Sequence, residues 1–195
     1  MSGKTADPKS KLILDAAEEL FALHGYYGVT MRQIALKANV DVALANYHFG
    51  KKLDLFYTVF NRRAEVLSTW RRDELLEQKK RNNGKPQTLE QIIEAFLLPL
   101  KIAQESGDSG WRNYLALLAH VMTSPYWNEL LMPTVFDKRV GEFISALKLA
   151  LPKASEEDLH WCYQYVSGAL AITLAQTGRI DRLSDGKCLS SDFDA

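Results

Sequence analysis

Residues that carry chemistry are scarce in this 195-residue chain. It has two cysteines, Cys162 and Cys188. That is too few for a disulfide framework, and Cys162 falls in an apolar helical stretch that suits a buried thiol. The four histidines, His24, His48, His120 and His160, never fall four residues apart, and no His-Glu-x-x-His run occurs, which excludes a common helical zinc site. Glycine-rich phosphate loops, Gly-x-Ser-x-Gly and Cys-x-x-Cys are all missing. The signatures of nucleotide, serine-hydrolase and thiol-redox chemistry are therefore absent. Glu156, Glu157, Asp158 and His160 do crowd together, but acids at a helix start complement its dipole without needing a metal. No catalytic residue, metal or cofactor is expected. No apolar run nears the ~20 residues of a membrane span. The start, MSGKTADPKSK, lacks the apolar segment of a signal peptide. A cytoplasmic protein with no membrane contact is expected.

Net charge is missing too, because 24 Lys/Arg balance 24 Asp/Glu. A neutral chain has no global attraction to nucleic acid. The distribution is uneven, however. Residues 1–63 hold nine Lys/Arg against six Asp/Glu, and the remainder holds fifteen against eighteen. A basic head of +3 on an acidic body of −3 suits a DNA reader with a separate body, but the asymmetry is too small to establish one.

What the chain has in abundance is helical periodicity, with no strand pair, low-complexity tract or internal repeat. Ile13, Ala16, Ala17, Leu20, Phe21 and His24 share one face of a first helix that stops at Gly25. After Gly50 a long helix is expected over about 51–80, with alternating apolar and charged faces. Residues 82–86, NNGKP, form a loop. Thr88 and Gln91 make a capping box for a helix over about 89–104, kinked at Pro99. Another loop covers 105–110, then a helix runs over 111–123 and a short turn over 126–131. The next helix is expected over 133–151, with Pro133 at its start. Ser155, with Asp158 three residues on, caps the last clear helix, which is expected to reach Thr177 and end at Gly178. Residues 179–195 are polar and poorly periodic.

The stretch from Thr30 to Leu53 is the most specific. Thr30 opens a capping box with Gln33. Ile34, Ala35 and Ala38 form an apolar stripe, and Asn39 stands where the left-handed turn conformation is needed. Val40 plugs the angle between two helices, and Asp41 caps a very short second one over about 42–47. This is the layout of a helix-turn-helix, whose second helix enters the DNA major groove.

These residues resemble the amino-terminal domain of the TetR family of bacterial transcriptional repressors. The family pattern is met at Thr30, Ile34-Ala35, Asn39-Val40, Asp41, Asn46-Tyr47-His48-Phe49, Lys52 and Leu53. Upstream, residues 13–30 match the family's first helix and its Gly-aromatic turn. The resemblance covers about residues 10–60. It departs at Asn46, where the family often has Tyr, and the ANYHFG form is similar to a fatty-acid-responsive subgroup. The resemblance implies an all-α fold, with a three-helix DNA-binding domain at 1–50 and a larger ligand-binding and dimerisation bundle at 51–195. It implies a repressor that binds a palindromic double-stranded operator as a homodimer and is released by a small lipophilic effector, an acyl chain or an aromatic acid.

By the same resemblance the recognition helix contacts DNA through Val42, Ala43, Asn46, Tyr47 and His48. Asn pairs bidentately with adenine, Val and Ala meet thymine methyls, and Tyr and His bond phosphates. Tyr47 is read as a contact in preference to a core aromatic, and Phe49 as core. Lys52 is a cation at a helix start, which the dipole does not favour, and that conflict points to phosphate. Thr30 and Arg32 also stand within reach of phosphate, with a merely solvated Arg32 the competing reading.

In the second domain Trp111, Tyr114, Tyr126, Trp127, Phe136, Phe143, Trp161 and Tyr165 are each ordinary core residues taken singly. Together they are expected to line an apolar effector cavity between the long helix and the helices at 111–123 and 133–151. Arg112 and His120 are the expected polar groups for an acidic effector. Family members dimerise through their last two long helices. Here the helix near 155–177 is a good first member, and Gly168 and Ala169 permit close approach. Residues 190–195 read as the capped start of a second member cut short, so a shortened chain and a weaker dimer are expected. The alternative is a helical binding or enzymatic module with a degenerate head. Salt-sensitive binding to a palindromic operator separates the two.

Overall fold

The computed structural model describes residues 7–193, and among these all regular structure is helical. Helix α1 (Pro8–His24) begins where Asp7 accepts the Lys9 N–H at 3.0 Å and stops at Gly25, whose φ is +67°. Helix α2 (Met31–Lys37) carries the full Thr30–Gln33 capping box, with bonds of 2.8 and 3.2 Å. Asn39 makes the turn at φ +53°. Helix α3 (Val42–Phe49) is two residues longer than the sequence suggests and ends at Gly50. Asp41 does occupy the cap position, but only its carbonyl serves, accepting from Leu44 and Ala45. Its carboxylate makes no capping bond.

Helix α4 (Lys52–Arg81) is the spine. Its inward stripe runs Leu55, Val59, Ala64, Leu67, Arg71, Leu75 and Gln78, spaced three to five apart. Helices α5 (Leu89–Glu105) and α6 (Ser109–Thr123) pack beside it, and α5 carries Pro99 internally. Helices α7 (Pro125–Val135), α8 (Asp137–Ala150), α9 (Glu156–Leu174) and the short α10 (Arg179–Leu183) complete the body.

Four expectations fail in this half. The short turn expected at 126–131 is part of α7, and Pro133 lies inside that helix instead of opening the next. A proline so close to the end of an 11-residue helix removes only one backbone bond. Burial of Trp127 and Leu131 on the core side outweighs that loss. At the other end, α9 stops at Leu174, with Gln176 at φ +42°, and Gly178 starts α10 instead of closing α9. Residues 190–193 form a turn, not the start of a helix, and Asp194 and Ala195 lie outside the described residues.

One continuous core joins Phe21 of α1, Ile34 of α2 and Ala45 of α3 to Phe56 and Phe60 of α4, and through them to Tyr114 and Leu118 of α6. The α1–α3 head is therefore seated on α4, while α1 also packs along α6. The α2–α3 turn depends on the left-handed Asn39. Asn39→Gly should leave stability within about 0.5 kcal/mol, and Asn39→Ala should cost about 1 kcal/mol. Urea denaturation of both variants checks this.

Candidate nucleic-acid interface

Helix α3 sorts its residues by face. Ala45 is fully buried and Phe49 half-buried against the head, four residues apart. Val42, Ala43, Asn46 and Tyr47 face outward, and Tyr47 is 83% exposed. Small residues at 42 and 43 let the backbone approach another surface closely, while Asn46 and Tyr47 supply hydrogen-bonding tips. Arg32, at the start of α2, is also exposed and makes no ion pair with any described residue.

The other residues singled out in the sequence are already engaged. The Thr30 hydroxyl donates to Gln33 Oε1 at 2.8 Å while accepting the Gln33 N–H. His48 turns back toward the start of α1, where its Nε2 lies 3.2 Å from Asp7 Oδ2. Lys52 reaches into the α1–α2 turn. Its ammonium donates to the carbonyls of Tyr26 and Val29, each at 2.9 Å, and sits 4.0 Å above the Tyr26 ring. The conflict between this cation and its helix dipole is thus relieved inside the protein. Two of its three donors are used, so a phosphate would meet only the third.

The head is locked to the body by charge. Glu18 of α1 is 2% exposed; it forms an ion pair with Arg62 Nη2 at 2.8 Å and accepts a hydrogen bond from Arg63 Nε at 2.9 Å. Arg62 also pairs with Asp15 of α1 at 2.7 Å, and Arg63 with Asp108 at 2.9 Å. Asp108 caps α6 through the Gly110 N–H at 2.8 Å, and that bond, with Arg63 beside it, holds its carboxyl below the ordinary range. Gly110 is required here, because a Cβ at that position would run into the Arg63 guanidinium. This cluster fixes the α1–α4–α6 junction, and the aromatic group of Tyr26, Phe56 and Trp127, whose rings lie 4.6–5.2 Å apart, ties the α1–α2 turn to α4 and α7. The sequence reading did not pick out Glu18, Arg62 or Arg63.

The residues expected to line an effector cavity scatter. A cavity of about 30 Å³ does lie in the body, but its walls are α4, α5 and α8, with Phe136 between α7 and α8. Of the expected set only Phe136 and Phe143 line it. Trp111, Tyr114 and Trp127 are buried elsewhere in the core. Arg112 and His120 are exposed on the outer side of α6, away from the cavity. Trp161 and Tyr165 are exposed on α9 and stack on each other at 5.9 Å. Of the three arginines that line the cavity, Arg71, Arg72 and Arg139, the inward one is Arg71. The signal for it is its place on the inward stripe of α4, where a charge is out of pattern.

A buried-backed helix with an open polar row, held at the end of an all-helical body, defines a helix-turn-helix DNA reader. Residues 13–59 match the family described as bacterial regulatory proteins, tetR family, and residues 94–195 match the tetracyclin repressor-like C-terminal domain. The chain belongs to the TetR family and is a DNA-binding transcriptional regulator, not an enzyme. Its fold is similar to that of the fatty acid degradation regulator FadR from Bacillus halodurans (TM-score 0.64, 18% identity, 96% of this chain and 91% of that one). It is also similar to HlyIIR, a hemolysin II transcriptional regulator (TM-score 0.57, 22% identity, 93% and 97%). No curated protein matches the chain. Among the described residues no helix is long and apolar enough to cross a membrane.

Lys52→Met keeps the apolar stem and removes the bonds to Tyr26 and Val29. We expect a loss of about 2 kcal/mol in urea denaturation. Unchanged stability would show that the two carbonyls do not need the ammonium.

Proposed function

We propose that this regulator is a repressor that binds a palindromic operator as a homodimer and is released by a small lipophilic effector. The observation that supports it most is the outward row Val42, Ala43, Asn46 and Tyr47 on a short, well-seated helix. Asn46 is the base reader, pairing with adenine in the major groove. Tyr47 and Arg32 meet phosphates, and Val42 and Ala43 meet thymine methyls. Thr30, His48 and Lys52 act by holding the head in shape, with at most one donor of Lys52 left for DNA. The DNA-reading unit ends at Gly50, and the body from Lys51 onward carries effector and partner. The body acts on DNA by setting the spacing of two heads, because an operator's half-sites lie about 34 Å apart. An effector lowers affinity only if it binds better to the form with the wrong spacing. The Glu18–Arg62–Arg63 cluster makes a head follow its α4 as a rigid piece. FadR is described as a regulator of fatty acid degradation, which makes acyl chains the first effector chemistry to try.

Helix α9 supports the dimer. Trp161, Tyr165, Gly168, Ala169 and Ile172 share one outward face, with Tyr165 70% and Ile172 66% exposed. A second copy laid against this face covers apolar side chains that water otherwise meets.

Asn46→Ala should weaken binding to the selected operator by about 1–3 kcal/mol and relax preference at one base pair of each half-site. Titration against an operator recovered by in vitro selection, over a salt series, measures this, and wild-type affinity in the variant overturns the contact assignment. Tyr165→Asp with Ile172→Asp alters only exposed positions. The double variant should keep its helix content, sediment as a monomer at micromolar concentration and lose most operator affinity. A wild-type chain that is itself monomeric under those conditions defeats the dimer.

A further inference from the structure

Arginines 62, 63, 71 and 72 all lie on α4, and three of them pair with carboxylates: Arg62 with Asp15 and Glu18, Arg63 with Glu18 and Asp108, Arg72 with Asp73. Arg71, which lies on the inward stripe, pairs with no described carboxylate. Its Nε donates to the Phe96 carbonyl at 3.0 Å, and its guanidinium lies 4.0 Å over the Phe96 ring and 5.9 Å from that of Phe136. Its Nη2 is shut off from solvent and has no acceptor. Burial pulls the Arg71 pKa down to about 10, so the group still carries its charge at neutral pH. The Tyr114 hydroxyl is a second buried group of this core without a partner, and the Arg71 charge acts on it.

A half-buried guanidinium with one nitrogen shut off from water and no described acceptor is costly, and a bound anion relieves that cost. Building on the ligand-responsive reading above, we propose that the cavity beside Arg71 is a binding site for an organic acid. Its carboxylate sits on the Arg71 guanidinium and its hydrocarbon part lies against Leu75, Ile92, Phe96, Phe136 and Phe143. All five side chains line the cavity with Arg71. Planar guanidinium matches carboxylate through two parallel N–H bonds, which gives geometry as well as charge.

The cavity of about 30 Å³ holds no more than a water, so a ligand must part α8 from α4 and α5. The route is marked. Arg72, Leu75 and Glu142 form part of the cavity wall and also of an outer groove of about 760 Å³, which carries Lys79, Lys85 and Lys138. Arg139 and Glu142 are paired at 2.6 Å across the α8 side of the cavity wall. The cationic rim outside favours an incoming anion over a neutral molecule of the same shape.

The test compares octanoate and benzoate with octanol and benzyl alcohol, by calorimetric titration of the full chain and of Arg71→Met. Wild type should bind each acid about tenfold or more tighter than its alcohol. Arg71→Met should bring the two within about threefold, and it should melt no lower than wild type, because an unpaired buried charge has been removed. Equal binding of acid and alcohol by wild type, an acid preference that survives in Arg71→Met, or no binding of any probe at millimolar concentration each overturns the site. Operator release is read separately. Octanoate bound through Arg71 without any change in operator affinity upholds the anion site and defeats the ligand-responsive repressor. Release by neutral ligands that ignore the Arg71→Met change keeps the repressor and defeats the site.

Discussion

The Glu18 carboxylate is almost wholly removed from water, and Arg62 and Arg63 reach it there from α4. A charge buried without such partners costs several kcal/mol, and breaking a buried pair costs about 3–5 kcal/mol. The position of the head follows from that requirement. Helix α1 must lie where its Glu18 meets two adjacent residues of α4, and Arg63 must then pass the N-terminus of α6 to reach Asp108. That passage is possible only because Gly110 has no Cβ. Helices α2 and α3 are in turn packed on α1, so the orientation of the recognition row descends from one ion cluster.

Hydrophobic burial does the larger share of holding the parts together, since one apolar cluster runs from Ile13 to Leu174. Burial alone is non-directional, however, and would tolerate sliding of α1 along α4. The ionic cluster and the Lys52 clamp on the carbonyls of Tyr26 and Val29 are directional, and their α4 residues lie about three turns apart, at Lys52 and at Arg62 and Arg63. The proposed spacing mechanism requires each head to follow its α4 without play. The bonds described here supply that stiffness at the two places where α4 meets the head.

Arg62, Arg63, Arg71 and Arg72 of α4 contrast usefully. Arg62 and Arg63 are matched by acids of α1 and the α6 start, and Arg72 by its neighbour Asp73. Arg71 meets aromatic faces and one carbonyl instead. Identical side chains within eleven residues on one helix thus have different tasks, decided by the direction each register position faces.

Features whose energy is settled within one helical turn are legible from the sequence. The capping boxes at Thr30–Gln33, Thr88–Gln91 and Ser155–Asp158 formed as their spacing requires. The left-handed Asn39, the exposed row of α3 and the length of α4 likewise follow from local pattern, because donor, acceptor and apolar period lie within a few residues of one another. Tertiary structure alone decided the rest. Helix α7 survives an internal proline because the core takes Trp127. His48 turns to Asp7, forty-one positions earlier, and Lys52 to carbonyls of the α1–α2 turn. Arg112 and His120, polar residues on a helix with an apolar face, turned outward, while Arg71 turned in. Whether a charged side chain finds water, a carboxylate or neither depends on which helices pack beside it, and residues far apart in sequence such as Glu18 and Arg63 become partners only when the chain has closed.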